Sequence, residues 1–184
     1  MSAAGVIVSG DDTLVENTRS GVIRSDDAAS AAVELNVEEL AGAPAAGLSA
    51  RLENAGLIPV LGGDGEETVI NHGRIVGDVD LGDGADTFVF GNGGRVQGEV
   101  FLGGGDDLVV IESGAGSAEI ADFAAGDTGG DVLDVSAFFT SLAGLQAHSR
   151  QQGGDLIVAL DHNGTLVLNN VQLGALNTGD FLFG

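Results

Sequence analysis

The stretch LGGDGEETVINHGRIVGDVD (residues 61–80) recurs in altered form as LGDGADTFVFGNGGRVQGEVF (81–101) and LGGGDDLVVIESGAGSAEIADF (102–123). Leu61, Leu81 and Leu102 open units of about twenty residues, and internal repeats of this length are typical of solenoids. In each unit a glycine-rich acidic turn precedes a short β-branched or aromatic run, and a second turn precedes another short apolar run. We therefore predict stacked parallel coils, each with two strands and two turns.

Stacking such coils aligns their acidic turns into a column of carboxylates. The glycines allow the backbone to turn with positive φ and to point carbonyl oxygens into a small space. Several hard oxygen ligands suit Ca²⁺, whereas zinc or copper would favour His or Cys. The alternative is a set of exposed Gly-Asp turns that bind no ion. We predict that Ca²⁺ binds the residues Gly63, Asp64, Gly65, Glu67, Gly82, Asp83, Gly84, Asp86, Gly103, Gly105, Asp106 and Asp107.

The charge composition excludes some partners and favours others. The chain has 184 residues, with 28 acids against six bases and a formal net charge of −22. Nucleic-acid binding requires a basic surface, so we expect none. The absence of cysteine excludes disulfides and thiolate metal sites. No apolar run approaches the length of a membrane span, and the first residues lack the features of a cleaved export signal. Divalent cations would offset the self-repulsion of so many acids.

The chain divides into three predicted regions. Residues 1–60 form a diverged N-terminal coil with a capping or insertion segment, AGAPAAGLSA (41–50), read either as a short helix interrupted at Pro44 or as a loop. Residues 61–123 are the calcium-binding repeats. Residues 124–184 form a C-terminal cap with a short helix near 141–148 and a hairpin of strands 156–160 and 166–171. The predicted fold class is all-β: a right-handed parallel β-solenoid, of the β-roll or β-helix kind, with a β-rich cap.

The repeat resembles the RTX, or haemolysin-type, calcium-binding nonapeptide G-G-x-G-x-D-x-U-x, in which U is a large apolar residue. Residues 62–70 fit with Glu67 in the Asp position, and residues 81–89 and 102–110 fit from their second position onward. The resemblance implies ions between successive coils, with Asp86 shared between a site with Glu67 and a site with Asp107. The second halves, NHGRI (71–75) and NGGRV (92–96), depart from the pattern, which implies a single column of ions.

Residues 118–184 resemble the C-terminal targeting region of proteins exported by type I secretion. The similarity lies in IADF (120–123), DVLDVS (131–136), GDL (154–156), GTL (164–166) and the acid followed by hydrophobics in DFLF (180–183). It implies recognition by type I secretion machinery and a secreted, extracellular or cell-surface location without an N-terminal signal peptide.

No catalytic constellation is evident, because the paired acids recur with the repeat instead of converging at one place. We expect a structural protein rather than an enzyme, one that self-associates outside the cell into a filament, surface layer or matrix. A calcium-dependent accessory or adhesion module that binds polysaccharide or protein remains open, as does a carbohydrate-active enzyme of the β-helix type. Arg74 and Arg95 share a register and could pair with Asp78 and Glu99, or with acids of a partner subunit.

Overall fold

The computed structural model describes residues 6–9, 13–17, 33–36, 49–54, 60–126, 130–160 and 164–184. Three sheets run along its axis. The segment predicted to cap or interrupt the first coils, residues 41–50, lies outside the described residues except for its last two positions.

Among the described residues, the first sheet contains nine strands in two arrangements. Six of them stack in parallel: β1 (Val6–Ser9), β3 (Val33–Asn36), β5 (Val60–Gly63), β8 (Val79–Gly82), β11 (Val100–Phe101) and β13 (Ala118–Ile120). The sheet then continues through β17 (Thr165–Leu168), β16 (Asp155–Ala159) and β15 (Ser149–Gln152).

The second sheet is parallel throughout and forms an opposing wall of the coils. Its strands are β2 (Thr13–Asn17), β4 (Ser49–Asn54), β6 (Glu66–Asn71), β9 (Thr87–Phe90), β12 (Leu108–Ile111), β14 (Val132–Asp134) and β18 (Phe181–Leu182). Val69 pairs with Phe88, and Phe88 with Val109, so each repeat contributes one equivalent strand. This one-coil register confirms the predicted β-solenoid.

A third, two-stranded sheet differs from the prediction. β7 (Arg74–Val76) and β10 (Arg95–Gln97) pair in parallel, so these coils have three strands instead of two. The cause is Gly77 with φ 105°, where the second apolar run bends before β8 begins. A Cβ on the equivalent Gly98 would lie 2.5 Å from the carbonyl oxygen of Gly77, so the corner accepts only glycine there.

The core fills the space between the sheets with the inward-facing side chains, which occur at every second residue of a strand. β9 and β12 alternate half-buried and buried residues, as expected when one face of a strand meets the core. The rings of Phe88 and Phe90 lie 4.5 Å apart, and neither is exposed to solvent. Ile75 and Leu81 close the other two walls and are fully buried. Aliphatic and phenylalanine packing thus holds each coil on the next.

The C-terminal region ends the parallel stack by changing strand direction. β16 pairs antiparallel with β17 and with β15, which confirms the predicted hairpin and β-rich cap. Helix α1 (Leu142–Ala147) also forms where it was predicted, and the hydroxyl of its N-cap Ser141 accepts a hydrogen bond from the Gly144 amide at 3.2 Å. Within the described ranges, no helix has the length and apolar character needed to cross a membrane.

Candidate functional site

The acids of the repeated turns separate into an inward and an outward set. Glu67, Asp86 and Asp107 are buried, with exposed fractions of 1%, 1% and 2%. They occupy equivalent positions in successive coils, because the residues that directly follow them pair with one another: Thr68 pairs with Thr87, and Thr87 pairs with Leu108. We call these three residues the buried column. The side chains of the other predicted acids, Asp64, Asp83 and Asp106, are exposed and lie outside the buried column.

Two carboxylates of the buried column, those of Asp86 and Asp107, hold neighbouring coils together. Oδ1 of Asp86 accepts a hydrogen bond from the Glu67 amide at 2.7 Å, and Oδ1 of Asp107 accepts one from the Asp86 amide at 2.8 Å. An acid therefore binds the backbone of the coil before its own. These bonds explain why an acid recurs at this position, since a buried amide without an acceptor would be costly.

The remaining oxygens of the buried column have no hydrogen-bond donor. They are both carboxylate oxygens of Glu67, Oδ2 of Asp86 and Oδ2 of Asp107. An unpaired buried polar atom costs about 1–3 kcal/mol, and more when it is charged. Among the described residues, these four oxygens therefore form the largest unsatisfied polar group within the fold.

Burial also perturbs the ionisation of these acids. Loss of solvation raises the pKa of Glu67, Asp86 and Asp107 to about 7. The amides that bond to Asp86 and Asp107 act in the opposite direction. The charge of Glu67 adds to the rise in the pKa of Asp86, and the charges of Asp131 and Asp86 add to that of Asp107. For Glu67 the added charge is that of the exposed Asp64. Asp86 and Asp107 are thus each opposed in ionisation by the preceding acid of the buried column. Near neutral pH the fold needs either protons or a cation at this position.

Two further buried acids were missed by the sequence analysis. Asp131 continues the register of the buried column by one coil, because Val132 pairs with Leu108. Its oxygens accept from the amides of Asp107 at 3.2 Å and Ala124 at 2.8 Å. Asp180 accepts from Gly126 at 3.0 Å and Asn177 at 2.8 Å. Each oxygen of the two carboxylates accepts one hydrogen bond, so neither acid has an orphaned oxygen; Asp131 is the last acid in the register of the buried column.

The signal for Asp131 was present in the sequence. DVLD (131–134) aligns with DLVV (107–110), an acid followed by three residues of a strand. The turn before Asp131 lacks the G-x-G-x-D spacing, so the motif does not extend the repeat to this residue. Burial raises the pKa of Asp131 as well, with Asp122 adding to the rise.

The glycine turns bring backbone carbonyls close to the coil boundary. Gly82 has φ 94° and Gly84 has φ 148°, and a Cβ on either would overlap the carbonyl oxygen of Gly63 or Gly65 in the coil before. The Gly63 carbonyl accepts from the Asp83 amide at 2.8 Å. A carbonyl oxygen has two lone pairs, so one hydrogen bond leaves capacity for another partner.

The donor set at the buried column consists of oxygen alone. Among the described residues, no three His, Cys, Asp or Glu side chains converge in a way that would hold a metal by themselves. A cation beside the buried column would therefore need carbonyl oxygens in addition to carboxylates. Ca²⁺ accepts such mixed oxygen ligands, whereas Mg²⁺ demands stricter geometry and Zn²⁺ favours nitrogen or sulfur. The orphaned carboxylate oxygens and the glycine turns fit Ca²⁺ on these grounds.

No protein-family model matches the chain, and a search of curated proteins finds no match. What the buried column does must be inferred from its own chemistry.

The raised pKa values predict how stability depends on pH without calcium. An acid with a pKa of about 4 when unfolded and about 7 when folded favours folding while it is protonated. Stability without Ca²⁺ should therefore be greatest near pH 4 and should fall as the pH rises through about 7. Asp86→Asn removes one ionisation, so it should stabilise the calcium-free protein at pH 6 by about 1–3 kcal/mol and change it little at pH 4.

Denaturant unfolding in EDTA, followed by circular dichroism at both pH values, measures this difference. The control is Asp80→Asn, which neutralises an exposed acid of β8. Equal effects of the two substitutions, or no stabilisation of Asp86→Asn at pH 6, would contradict the assignment of the buried acids.

Proposed function

We propose that this chain is a secreted calcium-binding structural protein that folds on Ca²⁺ and self-associates outside the cell. The observation that carries the proposal is the set of orphaned carboxylate oxygens on Glu67, Asp86 and Asp107, repeated once per coil. Such a series of buried acids destabilises the fold at neutral pH unless a cation neutralises it. The likeness of the turns to the RTX repeat supports calcium as that cation.

The residues of the buried column would divide the binding between them. One oxygen of Asp86 accepts a hydrogen bond from the Glu67 amide, and the other has no hydrogen-bond partner. Asp86 could therefore contribute a ligand at the coil boundaries on both of its sides. When bound, Ca²⁺ supplies the positive charge that lets all three acids ionise. Binding that occurs only in the folded state stabilises by mass action, about 2.7 kcal/mol at a hundredfold excess over Kd.

Folding on calcium would link structure to location. Extracellular calcium-binding modules operate at Kd values of about 10⁻⁴–10⁻³ M, which intracellular calcium does not reach. The chain would then remain unfolded in the producing cell and fold after export. In the folded protein Asp180 and Phe181 are buried and β18 pairs with β14, so export machinery must bind this segment before folding. The likeness of residues 118–184 to a type I targeting region supports this order of events.

Self-association follows from the ends of the solenoid. Among the described strands, β1 and β2 are the outer strands at one end, and β15 and β18 are the outer strands of the two sheets at the other. Unpaired strand edges accept further strands, and a contact between two different ends propagates into a filament. Cation binding would lower the net charge of −22 that keeps copies apart. The expectation that the protein has no enzymatic activity stays a prediction.

The calcium proposal predicts coupled folding and assembly. Adding millimolar Ca²⁺ to the EDTA-treated protein at pH 7.5 should increase the β signal in circular dichroism and then the light scattering. Asp86→Ala should weaken calcium affinity at least about tenfold, a loss of about 1.4 kcal/mol, because it removes a ligand shared by two coil boundaries. Asp80→Ala, at an exposed acid, is the matched control and should behave like the unmodified chain.

Identical thermal melts with EDTA and with Ca²⁺ would refute the calcium proposal. A calcium-dependent fold that stays monomeric at high protein concentration would refute self-association and favour the accessory or adhesion module instead.

The export proposal predicts that residues 150–184 carry the targeting information. In a bacterial host with a type I secretion system, the full chain should accumulate in the medium and a chain lacking 150–184 should remain in the cells. A chain lacking residues 1–10 serves as the control and should be exported. Blotting of cell and medium fractions gives the comparison, and secretion of the C-terminal truncation at the level of the full chain would end this assignment.

A further inference from the structure

The outer face of the third sheet carries two stacked arginines. Arg74 of β7 pairs with Arg95 of β10, and both side chains are exposed. Ile75 is buried against the core, so the alternation of the strand directs Arg74 and Val76 outward. The outer side of β10 presents Arg95 and Gln97 in the same way. We call these four outward residues the arginine face.

The arginine face lacks a partner within the described part of the chain. Neither arginine forms an ion pair with a described acid, and the hydrogen bond of the Arg74 guanidinium goes to the Gln97 side chain. Arginines on adjacent strands, about 4.8 Å apart, repel each other. Val76 lies beside them with 38% of its surface exposed, one of two large hydrophobic side chains so exposed among the described residues. The pairing with Asp78 or Glu99 considered from the sequence is not observed.

A complementary surface lies elsewhere on the same molecule. Asp64 and Asp83 are exposed and occupy equivalent positions in successive coils, each following one member of the paired glycines Gly63 and Gly82. Their spacing along the axis is one coil, as is the spacing of Arg74 and Arg95. Two arginines and two aspartates with the same repeat can therefore pair when two solenoids lie side by side.

We propose that the arginine face binds the outer acidic turns of a second copy, so that solenoids associate laterally as well as end to end. This inference rests on the proposed self-association and specifies one of its contacts. Because the two surfaces differ, the contact is heterologous and does not close into a dimer; it extends into bundles or sheets. Exposed arginine–carboxylate pairs contribute about 0.2–1 kcal/mol each, so the lateral contact gains strength from repetition along an assembly.

The test compares two variants of equal net charge. Arg74→Gln combined with Arg95→Gln makes the chain more negative by two units, and so does Ser113→Asp combined with Thr140→Asp, which alters two exposed residues outside the strands. In millimolar Ca²⁺ at low salt, sedimentation velocity and electron microscopy should show bundled assemblies for the unmodified chain and for Ser113→Asp/Thr140→Asp. The double arginine variant should give single filaments or small species, with assembly mass reduced at least about fivefold. Moderate salt should reproduce this loss in the unmodified chain.

A charge exchange tests the contact directly. Arg74→Glu with Arg95→Glu, and Asp64→Arg with Asp83→Arg, should each fail to bundle alone and should bundle when mixed. Bundling of Arg74→Gln/Arg95→Gln at the level of the unmodified chain, equal loss in Ser113→Asp/Thr140→Asp, or no bundling of the mixture would each overturn the proposal. If Arg74→Gln/Arg95→Gln lost binding to an acidic polysaccharide while its bundling was unchanged, the arginine face would be assigned to that ligand and the proposal would be overturned too.

Calcium titration calorimetry separates this proposal from the calcium site. The double arginine variant should bind Ca²⁺ like the unmodified chain, because the arginine face lies on a different sheet from the buried column. If lateral bundling were absent while calcium binding persisted, only the lateral contact would be refuted. An unmodified chain that shows no calcium binding would instead remove the proposed function.

Discussion

Ionisation of the inward carboxylates is the constraint on which the rest of the structure depends. The buried column places one acid per coil where solvent does not reach, and Asp86 and Asp107 also anchor a backbone amide of the coil before their own. These two acids therefore cannot be removed without breaking links between coils, and none of the three can ionise freely without a countercharge. Protons satisfy this requirement at low pH. Above neutral pH, where the protons leave, the proposed Ca²⁺ would supply the countercharge.

Other features of the chain are arranged around this requirement. Glycine turns allow the coils to approach closely enough for an acid of one coil to reach the next, since a Cβ on Gly84 would overlap the Gly65 carbonyl. Asp131 ends the series with both oxygens paired, and the antiparallel cap follows. The exposed acids face outward, where solvent screens them, and the two stacked arginines lie on a separate sheet. The proposed roles in stability and in association therefore fall to different sets of charges.

Much of this architecture could be predicted from residues 61–123, because a repeat of about twenty residues with a fixed turn implies stacked coils. The shared register of Glu67, Asp86 and Asp107 follows from the same spacing, whereas their burial was not predicted from it. The third strand did not follow, since the bend at Gly77 depends on how closely coils pack at that corner. The burial of Asp131 in the acid series was not predicted, because its turn lacks the repeat motif although its strand keeps the register of the repeat. Motifs thus located the turns, whereas pairing was needed to identify the full acid series and the unpartnered arginine face.

The most direct test of this account counts the protons that leave the protein when calcium binds. Folded acids with pKa values near 7 hold protons at pH 5.5, where protonation favours the calcium-free fold, and a cation that takes their place must displace them. Titration with Ca²⁺ in a weakly buffered solution at pH 5.5 should release at least about one proton per chain, and the release should vanish by about pH 9. Calcium binding to the folded chain without proton release at pH 5.5 would show that the ion does not meet the buried column.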